Sequence, residues 1–272
     1  MATGTLTTST AVYFEHVSRY FVNPAKHIQV RALDDVDFGV SENAFTSIVG
    51  PSGCGKSTLL NLLAGLSFPQ QGRVLFRGEP VTEVNTRVGY VTQDSNLLPW
   101  LTVAENVELP LEIRGVGRRE RQERAREWIH RVGLAGFEDH YPHQLSGGMQ
   151  KRCSIARTLV YDPEIILMDE PFGPLDAITR MVLQAELLRL WETRHKTILF
   201  VTHDLTEAIA LSDQVVVMTR RPGRVKAIMD VPLERPRDVF HIQESSGFAA
   251  IHSQLWEVFH AEIEDPTHVG GE

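Results

Sequence analysis

The stretch AFTSIVGPSGCGKSTLLNLLAGL, Ala44 to Leu66, decides how the rest of the chain is read. Its first six residues are almost continuously apolar and predict a buried strand. Its last eleven, from Lys56, carry leucines at helical spacing and predict a helix. Between them, Gly50–Ser57 fits G-x-x-x-x-G-K-[ST], the pattern of a phosphate-holding loop in the strand–helix setting it requires. The glycines let backbone N–H groups turn toward a phosphate chain, and the helix N-terminus adds favourable partial charge. Lys56 can reach β- and γ-phosphates, and the Ser57 hydroxyl suits Mg²⁺. Gly50, Pro51, Ser52, Gly53, Cys54, Gly55, Lys56, Ser57 and Thr58 are therefore the candidate nucleotide-binding set. Such loops serve kinases, switches, motors and transporters alike, so the choice must come from elsewhere.

The bulk properties narrow the field. In 272 residues, 42% are hydrophobic and 23% charged, as in ordinary globular proteins. A net charge of -8 argues against a chain-wide footprint for nucleic acid. No apolar run reaches the ~18 residues that would cross a bilayer, and no basic n-region marks a secretory signal. Two cysteines, Cys54 and Cys153, make no disulfide framework and suit a reducing cytosol. Residues 1–10 read as a flexible arm. AVYFEHV and LDDVDFGV alternate like strands of an antiparallel sheet. From about 94 to 160 the composition is helical, with AENVELPLEIRG and RRERQERAREWIHRVGL as helices. After PEIILMD, the strands IILM, TILFV and QVVVM alternate with helices at about 177–193 and 204–211, implying βαβ units and a mainly parallel sheet. The expectation is an α/β fold with an antiparallel β subdomain. It places one domain over 11–236, a helical subdomain inserted at about 94–160, and a helical tail at 237–272.

Two further segments carry chemistry. IILMDE, Ile165–Glu170, delivers Asp169 and Glu170 at the C-terminal end of an apolar strand, where open α/β sheets bind ligands. Asp169 is placed to hold Mg²⁺, and Glu170 to orient and polarise an attacking water. LSGGMQ, Leu145–Gln150, precedes a helix on which Met149, Cys153, Ala156 and Val160 recur at helical spacing. It reads equally as an N-cap after a glycine turn and as a second anion site.

LSGGMQ closely resembles the signature motif of ATP-binding cassette (ABC) ATPases, and the phosphate loop, LSGGMQ and ILMDEP follow in that family's order. Gln93 in YVTQD matches the family's Q-loop glutamine, which touches Mg²⁺ and the water. His203 in LFVTHD matches the switch histidine that contacts the γ-phosphate. PFGPLDA resembles the D-loop, with Asp176 as its carboxylate, but has Pro174 where Ala or Ser is commoner, which removes an amide donor. Phe21, with Tyr20 as the alternative, falls where the family stacks an aromatic on adenine. The resemblance spans about residues 12–230 and implies a P-loop NTPase fold of the ABC-ATPase type. It further implies a homodimer, or a pair with a second ATPase subunit, in which Leu145, Ser146, Gly147, Gly148, Met149 and Gln150 of one subunit face the nucleotide of the other. ATP and Mg²⁺ are the implied cofactors.

The chain lacks the spans of exporter-type chains, the coiled coils of DNA-repair relatives and the second cassette of translation-factor relatives. DSNLLPWLTVAENVELPLEIRG resembles the helical subdomain of bacterial importer cassettes for nitrate, sulfonates, taurine and similar anions. Its Leu97, Leu98, Trp100 and Leu101 suit a groove for a partner's helix. The implied setting is peripheral, on the cytoplasmic face of the inner membrane. The implied partners are transmembrane permease subunits, with a solute-binding protein acting indirectly and no nucleic acid. Lipid or efflux transport, a non-transport ABC regulator and a metabolic P-loop kinase are the rival readings. The six Lys/Arg of Arg220–Arg237 read either as a solvated basic strand or as a contact for anionic headgroups.

Overall fold

The computed structural model describes residues 10–23, 28–173, 175–194 and 196–264. Most of the N-terminal arm, Pro174 and the end of the chain after 264 lie outside the described residues. Along the chain run β1 (Thr10–Asn23), β2 (Ile28–Ser41), β3 (Phe45–Val49), α1 (Lys56–Leu63), β4 (Gln71–Phe76), β5 (Glu79–Pro80) and β6 (Val88–Val91). Then follow α2 (Val103–Ile113), α3 (Arg118–Arg131), α4 (Gly147–Leu159), β7 (Ile165–Asp169) and α5 (Ala177–Arg194). The remainder is β8 (Thr197–Val201), α6 (Leu205–Leu211), β9 (Gln214–Met218), β10 (Val225–Asp230) and α7 (Phe248–Glu264). The chain divides into two compact units, Met1–Thr86 with Trp191–Glu272, and Arg87–Leu190.

The first unit holds an antiparallel sheet in the order β2-β1-β4-β5. Val12 and Phe14 point inward and are fully buried, as period-two alternation requires. A register shift between Phe14 and Val17, with His16 at φ 50, moves the inward set by one so that Val17 is buried again. The Phe14 and Phe38 rings stack across the ladder, centroids 4.8 Å apart. The same unit contains β3, buried along its whole length and flanked by β8 and β9, both parallel to it. β10 pairs antiparallel with β9. Strands covered on both faces need continuous apolar runs, and FTSIV, TILFV and QVVVM supply them. Because β3 and β8 pair in parallel, with Ile48 opposite Val201, the segments leaving their C-terminal ends start side by side.

The second unit pairs β6 with β7 in parallel, Val91 opposite Met168, and packs α2, α3 and α4 around one apolar cluster. Val103, Val107 and Leu111 of α2, Ala125 and Ile129 of α3, and Cys153 and Ala156 of α4 form its centre. α2 starts at a capping box in which Thr102 Oγ1 accepts from the Glu105 N–H and Glu105 Oε2 accepts from the Thr102 N–H. The unit runs beyond the helical block at 94–160 on both sides, because the β6–β7 pair and most of α5 belong to it.

The basic run Arg220–Arg237 differs from the expectation of a free patch. Arg220 and Lys226 bond Glu262 of α7, Arg224 pairs with buried Asp34, and Arg235 bonds Asp213. Arg221 donates to Gly53 O, and buried Arg237 donates to five backbone carbonyls, among them Ile209, Ala210 and Ser212 at the end of α6. Each of these basic residues thus has a partner inside the unit.

Candidate functional site

In the first unit the apolar strand β3 ends at Val49, and the chain turns through Gly50–Gly55 into α1. Gly55 caps α1 with φ 103, a left-handed conformation that costs a side chain energy, and a Cβ there would lie 2.6 Å from Leu33 Cδ2. Glycine is required at that point by both backbone and space. Lys56 is buried, and its Nζ donates to Gly50 O at 2.8 Å and Pro51 O at 3.0 Å. The ammonium is thus folded back over its own loop, with carbonyls standing in for the anion it can neutralise. Ser57 stands exposed beside it, and Thr58 is half-buried. Cys54 is buried behind the loop, its thiol pKa raised by desolvation despite the neighbouring Lys56 charge. It is a packing residue, not a reactive thiolate.

His203 leaves β8 at the same end of the parallel sheet and is exposed. Its flanks are pinned: Thr202 Oγ1 donates to Glu207 Oε2 at 2.7 Å, and Asp204 Oδ1 accepts the N–H groups of Thr206 and Glu207. The imidazole is therefore presented on a fixed backbone.

In the second unit the parallel pairing of β6 and β7 sets Thr92–Gln93 beside Asp169–Glu170. Asp169 is buried at the strand end, and Glu170 follows at φ 43. A left-handed conformation at a non-glycine residue stores roughly 1 kcal/mol or more. Such strain is retained where a side chain must be aimed. Gln93, Leu97, His143, Gly147, Gln150 and Glu170 line one open cleft of about 660 Å³. Ser146 caps α4, its Oγ accepting the Met149 N–H at 3.3 Å, so the N-cap reading of LSGGMQ is observed. A Cβ on Gly147 would meet no described atom within 4 Å, whereas one on Gly148 would lie 3.2 Å from Leu175 Cδ2. Leu145 is buried in the helical core and Met149 packs against it, while Gln150 Nε2 donates to Pro142 O at 2.9 Å.

Two expected residues have local tasks. Asp176 Oδ1 accepts the Thr179 N–H at 3.0 Å, which caps α5, and the Thr179 hydroxyl together with that N–H holds the carboxyl below its usual range. Phe21 is 47% exposed with the Arg19 guanidinium 5.1 Å from its ring centre, and Tyr20 carries Arg31 at the same distance. The apolar segment 97–101 is divided: Leu97 packs on the helical core while Trp100 is 68% exposed.

The sequence reading missed Lys151. It is fully buried, donating to Thr92 O at 2.5 Å and Gln93 O at 2.9 Å. Desolvation pulls its pKa down to about 8, against the opposing charges of Asp169 and Asp94. It also missed the turn that braces the phosphate loop: Gly223 packs so closely that a Cβ there would lie 1.9 Å from Cys54 O. Nothing in QKRC or RPGR marks either residue, since each partner is far away in the chain.

Glycine loop, strand-end carboxylates and capped glycine pair define a P-loop nucleotide-binding protein. The sequence model of the family described as ABC transporter matches residues 33–173. An ABC transporter ATP-binding protein of Methanocaldococcus jannaschii, itself uncharacterized, is 55% identical over 77% of this chain and 79% of its own. The aliphatic sulfonates import ATP-binding protein SsuB of Bacillus cereus is 40% identical over 91% of this chain and 95% of its own. Among solved structures, the dimeric post-hydrolysis state of the ATP-binding cassette MJ0796 bound to ADP and Pi is similar, with a TM-score of 0.75 and 34% identity. It covers 81% of this chain and 98% of that one. The chain belongs to the ABC transporter family, as an ATP-binding subunit that hydrolyses ATP.

Proposed function

We propose that this subunit powers an importer for a small anionic solute of the sulfonate, nitrate or taurine kind. It works through separate permease subunits on the cytoplasmic face of the membrane, with a solute-binding protein delivering cargo on the other side. The likeness to the sulfonate import protein, which extends over 91% of this chain, supports the solute class.

The observation that carries the mechanism is the α4 N-terminus. Gly147 has open space where a side chain would sit, so nothing described in this chain demands glycine there. A second copy approaching closely does. In this reading Ser146–Gly148 of one subunit meet the phosphates held by Gly50–Thr58 of the other, and Asp176 lies at the same junction. Lys56 releases Gly50 O and Pro51 O to take the β/γ-phosphates, and Phe21 stacks on adenine. Ser57, Asp169 and Gln93 carry the hydroxyl, carboxylate and amide oxygens that the family resemblance assigns to Mg²⁺, a hard ion that takes oxygen donors. The ion, when bound, neutralises phosphate charge. Glu170 orients and deprotonates the attacking water, and His203 contacts the γ-phosphate. Residues 11–236 form the ATPase domain, the helical block at 94–160 receives the permease through Trp100, and the tail from 237 braces α6, against which α7 packs.

Removing a positioned base costs about 10²–10⁴ in rate. Glu170→Gln should abolish turnover and accumulate an ATP-bound dimer by size-exclusion light scattering. A Glu170→Gln monomer with normal turnover refutes the assignment. Trp100→Asp should leave basal hydrolysis intact and lose co-purification with the permease.

A further inference from the structure

Every basic residue of α4 ends on backbone carbonyls, and two of the three end on one loop. Lys151 holds Thr92 O and Gln93 O. Arg157 donates from Nη2 to Ser95 O at 3.0 Å and from Nη1 to Asn96 O at 2.8 Å. The third, Arg152, bonds Val132 O and Gly133 O at the end of α3. Residues 151 and 157 stand roughly 9 Å apart along a helix axis and face different sides of it. The loop 92–96 is therefore strapped around α4 rather than touching it at one point.

The loop is also closed on itself. Asn96 Nδ2 donates to Thr92 Oγ1 at 2.9 Å, and Thr92 Oγ1 donates to Asp94 O at 2.7 Å. Its continuation is gripped by buried Asn106, which accepts the Leu98 N–H and donates to Leu98 O, Leu101 O and Thr102 O. Displacing α4 must thus drag Thr92–Asn96 with it, while Asn106, on α2, holds the continuation from Leu98 to Thr102. Charge-assisted bonds to carbonyls are about twice as strong as neutral ones. A buried ammonium that lost them would have no water to replace them.

We propose that Lys151 and Arg157 are positioning residues that lock the Gln93 loop to the signature helix, so that Ser146–Gly148 and Gln93 move as one body. This rests on the reading that Gln93 acts at the nucleotide. A change in what α4 touches is then felt at Gln93. Lys151 touches no substrate atom; it acts through the loop.

The test uses the purified full chain and Mg-ATP. Lys151→Met should lower kcat about tenfold with KM for ATP within about twofold, and Lys151→Gln, which keeps an amide donor, should recover part of the loss. In a double-mutant cycle, Lys151→Met should add little to Gln93→Ala, because both remove one device. Hydrogen–deuterium exchange of Lys151→Gln and Arg157→Met should quicken at residues 92–101 and spare α1. If either well-folded Lys151 variant keeps wild-type kcat and wild-type exchange over 92–101, the proposal is overturned. Should Lys151→Met fail to fold, the Lys151→Gln and Arg157→Met exchange patterns decide alone. If Gln93→Ala keeps full kcat, the role of Gln93 fails while the exchange arm still reports the lock.

Discussion

Lys56 and Lys151 are both buried lysines whose ammonium groups rest on two backbone carbonyls of a loop, yet they occupy opposite positions in the sequence-to-function chain. Lys56 lies in the loop it holds, five and six residues from Pro51 and Gly50. Lys151 holds Thr92 and Gln93 across 59 and 58 residues. The first contact is local and exchangeable, because a phosphate oxygen is a better partner than a carbonyl for an ammonium. The second is fully buried. One lysine is held in readiness, and the other is structural tension between two elements.

The sharpest break of that comparison is Lys56→Ala. It should lower ATP hydrolysis by at least about 10², and any loss of stability comes from the buried Gly50 carbonyl left without its donor. A Lys56→Ala protein that hydrolyses ATP normally would mean that the phosphate loop is not where charge is neutralised. Lys151→Met should act through its loop instead: the carbonyls of half-buried Thr92 and of Gln93 lose their donor, and chemical denaturation should show a loss of about 2 kcal/mol. A net gain in stability would instead show that burying the ammonium costs more than its bonds return.

That contrast also marks what could be read from the sequence. The strand–loop–helix at 44–66 was legible because strand, glycines, lysine and helix all lie within one local stretch, and each constrains its neighbours. A mainly parallel sheet was legible because the apolar strands from IILM onward alternate with helices. What stayed hidden needs long-range partners. KRCSIAR does not show that Lys151 and Arg157 reach backward to Thr92–Asn96, nor that the basic run 220–237 bonds Asp34, Asp213 and Glu262. The left-handed Glu170 was equally hidden, since ILMDEP contains nothing that asks for a positive φ. Leu97 and Trp100 looked alike as apolar letters, and only packing turned one inward and left the other out.

Two N-caps of the same chemistry sharpen the difference between local and functional roles. Thr102 and Ser146 each accept a backbone N–H three residues on. Thr102→Ala and Ser146→Ala should each cost about 1 kcal/mol in denaturation. Only Ser146→Ala should also cut ATP-driven dimerisation, because Thr102 starts a helix assigned no nucleotide contact. Equal losses in both assays would reduce LSGGMQ to a turn and a cap.

The smallest effect belongs to an arginine with a carboxylate partner. Arg119 pairs with Glu123 at 3.0 Å on the outside of α3, where both side chains are mostly exposed. Exposed i,i+4 pairs contribute roughly 0.3–0.5 kcal/mol and are screened by salt. Arg157 has neutral carbonyl partners instead, and desolvation pushes its pKa down. By formal charge the Arg119 pair is the stronger one. By environment the order inverts, since water competes more for Arg119 than for half-buried Arg157. Arg119→Ala should therefore leave stability within about 0.5 kcal/mol and hydrolysis unchanged, while Arg157→Met loosens the Gln93 loop. If both arginines proved equally dispensable to loop exchange, α4 would be an ordinary packed helix, and the contrast between a readied lysine and a fixed one would lose its second half.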